Sequence, residues 1–145
     1  MAKIRVSTLI NASPTKVWQS IDDVATHVDW MHDATAIRFR GKRRSGVGTI
    51  FECDTRIGPL TLTDIMEITE WEPRKRMGVV HRGVVTGDGV FTLRKTRRGG
   101  TRFTWSERLS FPWWMGGSIG ATVGGEVLRY VWRRNLGNLK RRVEA

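Results

Sequence analysis

Four polar side chains interrupt strand faces that are otherwise apolar. In Thr49–Ile57, Leu60–Trp71, Met77–Gly83 and Thr101–Ser110, the residues sharing parity with Phe51, Met66, Val79 and Trp105 include Thr55, Asp64, His81 and Glu107. Side chains alternate across a strand, so this parity turns all four toward the apolar side. Buried carboxylates are costly unless hydrogen-bonded, paired with a cation or solvated at an opening. His81, on the strand expected to neighbour that of Asp64, is a candidate partner. Two carboxyls and an imidazole in one recess can move protons as general acid and base, or can orient the polar end of an apolar ligand. Glu107, His81 and Asp64 are therefore the candidate catalytic residues. They stand equally as satisfied groups on a wet rim, and a single β-bulge would invert the assignments beyond it.

Other chemistries find less support. No nucleophile sits beside a base, and neither a P-loop nor a dinucleotide fingerprint occurs. His27, Asp29, His32 and Asp33 cluster around a helix end without the spacing of a metal box, so we read them as surface or capping residues and expect neither metal nor cofactor. Cys53 is the one cysteine. Within an apolar alternating run it reads as a small buried hydrophobe in a reducing compartment, and a cytoplasmic location follows.

The elements that must position these groups follow from periodicity. Lys3–Ile10 alternates as a strand; Ser13 and Pro14 cap a short helix carrying Val17, Trp18 and Ile21; and Val24–Met31 reads as a second short helix. From Ala36 the period is two through six segments, Ala36–Lys42, Thr49–Ile57, Leu60–Trp71, Met77–Gly83, Gly89–Lys95 and Thr101–Ser110, joined by short connections as in an antiparallel meander. After Phe111–Gly117 the period becomes helical, with Ile119, Val123, Val127, Leu128, Val131, Trp132, Leu136, Leu139 and Val143 on one stripe. Gly120, Gly124, Gly125 and Gly137 weaken that helix, and close packing against the sheet is the expected reason for them.

Choosing the apolar face of each strand gives an aromatic and methionine-rich wall: Ile37 and Phe39, Phe51 and Cys53, Leu62, Met66 and Ile68, Met77 and Val79, Phe91 and Leu93, and Phe103, Trp105 and Leu109. A filled core would look the same. In a meander the connections after the third, fifth and seventh strands share one pole, and Thr55, Asp64, His81 and Glu107 sit in the strand halves near it, ringing a mouth. That pole also receives Phe111, Trp113, Trp114 and Met115, read as a lid or as packing on the long helix in preference to a membrane contact. The opposite pole receives Arg38–Arg44, Arg74–Arg76, Arg94–Arg102 and the end of the long helix from Arg133 to Arg142, which together hold 18 of the 25 basic residues.

The order strand, two short helices, six strands and a long helix carries a resemblance. Ala12-Ser13-Pro14 with Val17-Trp18, Asp22-Asp23, Trp30, Gly46 and Gly48, Trp71-Glu72-Pro73 and Arg76-Met77 make the chain similar to the superfamily of START lipid-transfer domains, the birch-pollen-allergen type and bacterial polyketide cyclase/dehydrase proteins (SRPBCC). The resemblance implies an α+β helix-grip fold in which a seven-stranded antiparallel sheet wraps a long C-terminal helix, with residues 1–145 as one domain. It implies an internal pocket for a hydrophobic small molecule, a lipid, polyketide or quinone-like compound. The ligand-contact set expected from it is Phe39, Phe51, Cys53, Thr55, Met66, Val79, Phe91, Phe103, Trp105, Trp113 and Trp114. A second reading is an aldol cyclase or dehydratase using Glu107, His81 and Asp64.

Length and charge bound the rest. A chain of 145 residues buries roughly 70% of its unfolded surface without disulfide staples. Met1–Ile10 alternates and lacks a signal-peptide core, and Leu109–Gly125, though uncharged, holds Pro112 and five glycines and is too short to span a bilayer. A net charge of +11 attracts polyanions, which gives a third reading: an adaptor whose basic pole makes weak contact with nucleic acid, the ribosome or an acidic partner. Against it, no aromatic residues interleave the basic turns to stack on bases. Oligomeric state is not encoded in any of these features.

Overall fold

Successive hairpins dominate the computed structural model, which describes residues 1–145. Strand β1 (Ala2–Ile10) is followed by helix α1 (Pro14–Ile21) and a 3-10 turn over Val24–Asp29. The strands β2 (Ala34–Arg40), β3 (Ile50–Ile57), β4 (Leu60–Glu72), β5 (Arg76–Arg82), β6 (Thr86–Lys95) and β7 (Thr101–Ser110) then lead through a 3-10 turn at Trp113–Met115 to helix α2 (Gly117–Glu144). The sheet order is β1-β7-β6-β5-β4-β3-β2, antiparallel throughout. This is the expected helix-grip architecture. The second short helix is 3-10 in place of α, β2 begins two residues earlier than its periodicity suggests, and β6 begins at Thr86, because Gly87 and Asp88 pair on both sides.

Local chemistry sets the elements. Ser13 Oγ accepts from the Lys16 amide while Pro14 opens α1, and Val17, Trp18 and Ile21 bury its apolar face. Two strand irregularities matter. One falls between Ala34 and Ala36, the other between Ile68 and Glu70. The second turns Trp71 inward onto Trp18, edge to face at 5.2 Å. It lies beyond Asp64 on β4, so the facing of Asp64 and Met66 is unaffected.

Helix α2 crosses the inner face of the sheet along β1. Its C-terminal half is tied at several points: Asn135 Oδ1 accepts from the His32 amide, Asn138 Nδ2 donates to the Trp30 carbonyl, Lys140 Nζ donates to the Leu9 carbonyl and the Asn11 amide donates to Glu144. Trp132 stacks on Trp105 at 4.4 Å. The N-terminal half departs from the expected stripe. Ile119, Val123 and Val127 are 77%, 59% and 41% exposed, while Ala121 and Gly125 are buried. Small residues let the backbone approach β1, where a Cβ at Gly125 would stand 3.5 Å from that of Ala2, and the larger side chains are left on the opposite face. No helix is long and apolar enough to cross a membrane.

Candidate functional site

A cavity of about 270 Å³ lies between the sheet and α2. Cys53 and Thr55 from β3, Asp64 and Met66 from β4, His81 from β5 and Trp105 and Glu107 from β7 form its sheet wall. Leu128 and Trp132 of α2 close the other side, and Ile57, Val85, Phe111 and Met115 stand at the pole of the β3–β4, β5–β6 and β7–α2 connections. The lining is mostly apolar and contains neither Lys nor Arg. A smaller recess of about 80 Å³ adjoins it, sharing Cys53, Met66, Trp105 and Glu107 and adding Phe51, Val79, Phe91 and His27.

The three candidate acid–base residues converge. His81 Nε2 lies 3.2 Å from Glu107 Oε1, and His81 Nδ1 lies 4.0 Å from Asp64 Oδ2; all three residues are buried. Strand β6 runs between β5 and β7, and its Gly89 pairs with Val79 on one side and Glu107 on the other. A Cβ at position 89 would stand 2.5 Å from Glu107 Cγ, so glycine provides the space through which Glu107 leans across β6 to reach His81. Gly83 does the same for Asp64, whose Oδ1 would lie 2.6 Å from a Cβ there.

Their electrostatics are coupled. Burial alone would pull the His81 pKa down, but the Glu107 charge and hydrogen bond, with the charge of Asp64, outweigh it and the net shift is upward. Burial pushes the Asp64 carboxyl up, and His81 offsets only part of this. The Val85 amide also approaches the Asp64 carboxyl and opposes its upward shift, whereas His81 Nδ1 is buried with no hydrogen-bond partner.

A fourth titratable group completes the site. Asp33 lines the cavity, its Oδ1 accepting from Asn135 Nδ2 at 2.6 Å, and burial pushes its pKa up against that hydrogen bond. This corrects the expectation of a surface or capping role for Asp33. The signal that finds it is Asn135, an amide on the otherwise apolar face between Trp132 and Leu136. His27, for which the same role is expected, is buried: its Nε2 bonds the Ile21 carbonyl at 2.7 Å, and burial pulls its pKa down to about 4. Asp29 pairs with Arg142 and His32 lies beside Asn138, so the four residues diverge. No group of three or more His, Cys, Asp or Glu side chains converges to hold a metal ion. Burial pushes the Cys53 thiol up to about 12, leaving it un-ionised and a poor nucleophile.

The remaining expected contact residues divide. Cys53, Thr55, Met66 and Trp105 line the main cavity, and Phe51, Val79 and Phe91 line the adjoining recess. Phe103 and Phe39 line neither. Phe103 is fully buried beneath Trp30 and Phe91, and Phe39, near the outer end of β2, packs on Phe51 under the Arg44 guanidinium. Trp113 and Trp114 are 84% and 59% exposed. Their turn follows Pro112 and ends at Gly116 with φ 101°, and it directs Phe111 and Met115 into the cavity while the indoles face solvent.

The basic turns do share the opposite pole, where the C-terminal end of α2 also lies. Several of their cations are engaged by the fold: Arg38 with Glu52 and Asp54, Arg40 with Glu52, Arg76 with Glu70, and Arg142 with Asp29.

A seven-stranded antiparallel sheet set against a long C-terminal helix has counterparts among known proteins. Residues 1–144 match the family described as polyketide cyclase / dehydrase and lipid transport. The chain belongs to that family. It is similar in fold to TTHA0849 from Thermus thermophilus, with a TM-score of 0.84 at 15% identity over 97% of this chain and 96% of that one. A conserved protein from Geobacillus kaustophilus gives a TM-score of 0.78 at 16% identity over 97% and 94%. The Zhui aromatase/cyclase from Streptomyces sp. R1128 gives 0.77 at 11% identity over 98% and 93%. At these identities the likeness shows the fold alone. No curated protein matches the chain in sequence. Family membership associates the chain with hydrophobic small molecules or polyketide-cyclase-like chemistry.

Proposed function

We propose that this protein binds a neutral, apolar small molecule in the cavity between the sheet and α2, with the molecule's hydroxyl or carbonyl groups held by Asp64, His81 and Glu107. The observation that carries the reading is the convergence of Asp64, His81 and Glu107 as the polar patch of a mostly apolar cavity. Buried polar groups are nearly always hydrogen-bonded, His81 Nδ1 has no partner in the fold, and a ligand with a hydroxyl or carbonyl group offers this patch hydrogen bonds that an all-apolar molecule does not. Neutrality follows from charge. With Asp33, Asp64 and Glu107 in the lining, no Lys or Arg, and the His81 imidazole already paired with Glu107, a fatty-acid carboxylate or a phosphate would be buried without a free counter-charge, which is strongly unfavourable. Polyketide- and quinone-like compounds meet the requirement better than anionic lipids.

Native mass spectrometry of the purified protein, followed by solvent extraction and a thermal-shift panel of neutral and anionic apolar compounds, tests the reading. A retained neutral compound that Trp105→Ala releases supports it. A clean protein that no compound stabilises, or one stabilised only by anionic lipids, refutes it. A cyclase or dehydratase reading uses the same residues, with Glu107 and His81 exchanging a proton across 3.2 Å. Glu107→Gln separates the two: lost turnover with retained binding identifies an enzyme, whereas altered affinity with no turnover by either form identifies a carrier.

A further inference from the structure

An uncharged, apolar surface stands beside the mouth of the cavity. No charged residue occurs between Arg108 and Glu126. Within that stretch Trp113, Trp114, Ile119 and Val123 are 84%, 59%, 77% and 59% exposed, and Val127 and Tyr130 continue the same face of α2 at 41% and 62%. Positions 119, 123, 127 and 130 are spaced by four, four and three, so they form one stripe, and the buried positions Ala121, Gly125 and Trp132 lie on the other side of the helix. Nothing in the fold covers Trp113, Trp114, Ile119 or Val123, while Val127 borders the cavity and the Arg134 guanidinium lies over the Tyr130 ring. Contiguous apolar exposure of this kind marks an interaction site.

We propose that this face docks on an anionic lipid bilayer, with Trp113 and Trp114 seated at the headgroup boundary and the cavity mouth turned toward the membrane. Three observations select this occupant. Two adjacent exposed tryptophans on a short turn suit an interface that is apolar on one side and wet on the other. Cations stand on the strand rungs at the same end: Lys3 and Arg108, which pair across β1 and β7, and Arg56, one rung before the β3–β4 turn. Asp33, Asp64 and Glu107 are buried in the cavity wall, Glu126 is paired with Arg129, and Asp88, opposite Arg108 in the β6–β7 register, is outnumbered by Lys3, Arg56 and Arg108, so the exposed groups at this end carry a net positive charge complementary to acidic headgroups. A second copy is the poorer occupant, because two chains of net charge +11 repel each other. The docking does not depend on what the cavity holds, and its test contains no cavity ligand, so its failure and that of the ligand reading are distinguishable.

Co-sedimentation of the full chain with vesicles of phosphatidylcholine alone, and of phosphatidylcholine mixed with phosphatidylserine, tests the proposal. We expect binding to the mixed vesicles, a blue shift of tryptophan emission, and a several-fold weakening on raising salt as the Debye length falls below ~8 Å. W113A/W114A is expected to lower the partition coefficient at least about tenfold, since two largely exposed indoles lose their apolar transfer. It should leave the melting temperature unchanged; Ile119→Ser with Val123→Ser, on the helix stripe, is the second variant and should act in the same direction. Absence of binding to the mixed vesicles overturns the proposal. Binding that survives both variants also overturns it, because the opposite basic pole is then the lipid contact. A concentration-dependent dimer that Val123→Glu disperses, without vesicle binding, makes a second copy the occupant and overturns it as well.

Discussion

Replacing Glu107 by Gln removes the charge that holds the His81 proton while nearly preserving the side chain's shape. In the native protein burial opposes the His81 charge, and Glu107, through its charge and its hydrogen bond, carries the pKa above the ordinary 6.5. Without Glu107, burial is opposed only by the more distant Asp64 and Asp88, so His81 drops below its native value toward or under 6.5. The stability consequence changes with pH. A histidine whose folded pKa exceeds its unfolded one stabilises the native state fully below pH ~6.5, and that contribution is lost as pH rises through the folded value. A hydrogen bond to a charged group is worth about 1.5–3 kcal/mol, and both side chains are at least nine-tenths buried, so little of it is screened. E107Q should therefore cost about 2 kcal/mol near pH 5.5, or roughly 6 °C in Tm for a chain of this size, and much less near pH 8. Thermal denaturation across this range, with an NMR titration of the His81 imidazole, reads both effects. If His81 in E107Q titrates at or above the wild-type value, or if the loss of Tm is the same at both pH values, Glu107 is not the partner of the His81 proton.

Single contacts give sharper tests. Gly89→Ala places a methyl 2.5 Å from Glu107 Cγ and should destabilise by about 1–3 kcal/mol while lowering the His81 pKa; Gly78→Ala, whose Cβ meets only the Glu70 side chain at 3.1 Å, should cost less in urea denaturation and leave His81 alone. Cys53, held up to about 12, should react with a thiol reagent at neutral pH only through unfolding, so its labelling rate should rise with urea; rapid labelling of the native protein would contradict the buried, un-ionised thiol. His27 acts opposite to His81. Its folded pKa of about 4 lies below the unfolded 6.5, so stability present above pH 6.5 is lost as pH falls toward 4, by about 3 kcal/mol. His27→Phe should flatten that acid limb, measured as Tm against pH, even though the Ile21 carbonyl loses its donor.

What the sequence revealed depended on whether a signal was local. Period-two alternation and the Ser13-Pro14 cap located the strands and the first helix, because those signals reside within a few residues. Parity then brought Thr55, Asp64, His81 and Glu107 to one cavity, since the bulge on β4 falls at Ile68–Glu70, beyond Asp64. Parity reports facing and not depth: Phe103 faces inward yet lies beneath Trp30, and Phe39 faces inward at the far end of an outer strand. Asp33 escapes a local reading because its partner, Asn135, is 102 residues away, and its own neighbours look like a loop. The α2 stripe misled for a third reason. Ile119, Val123 and Val127 have helical spacing, but Gly125 and Ala121 permit a closer approach of the backbone to β1, so packing distance, which hydropathy does not encode, decided which face was buried.

The cavity's ionisable groups also couple ligand binding to protons. Asp33 and Asp64 are already raised from their ordinary values because burial disfavours their charged forms. A neutral molecule filling the cavity expels water and strengthens that penalty, so both carboxyls should rise further in the complex. A complex that holds protons more tightly than the free protein binds its ligand more tightly as pH falls through the carboxyl range, because the two couplings are one free energy. The imidazolium opposes this only weakly, since Glu107 at 3.2 Å compensates its charge. An anionic ligand would show the same direction more steeply but would have to bring its own proton into the cavity. Calorimetric titration in buffers of different ionisation enthalpy measures the proton count: uptake by the protein on binding a neutral ligand supports the arrangement, and release would show that the carboxyls leave the cavity when the ligand enters.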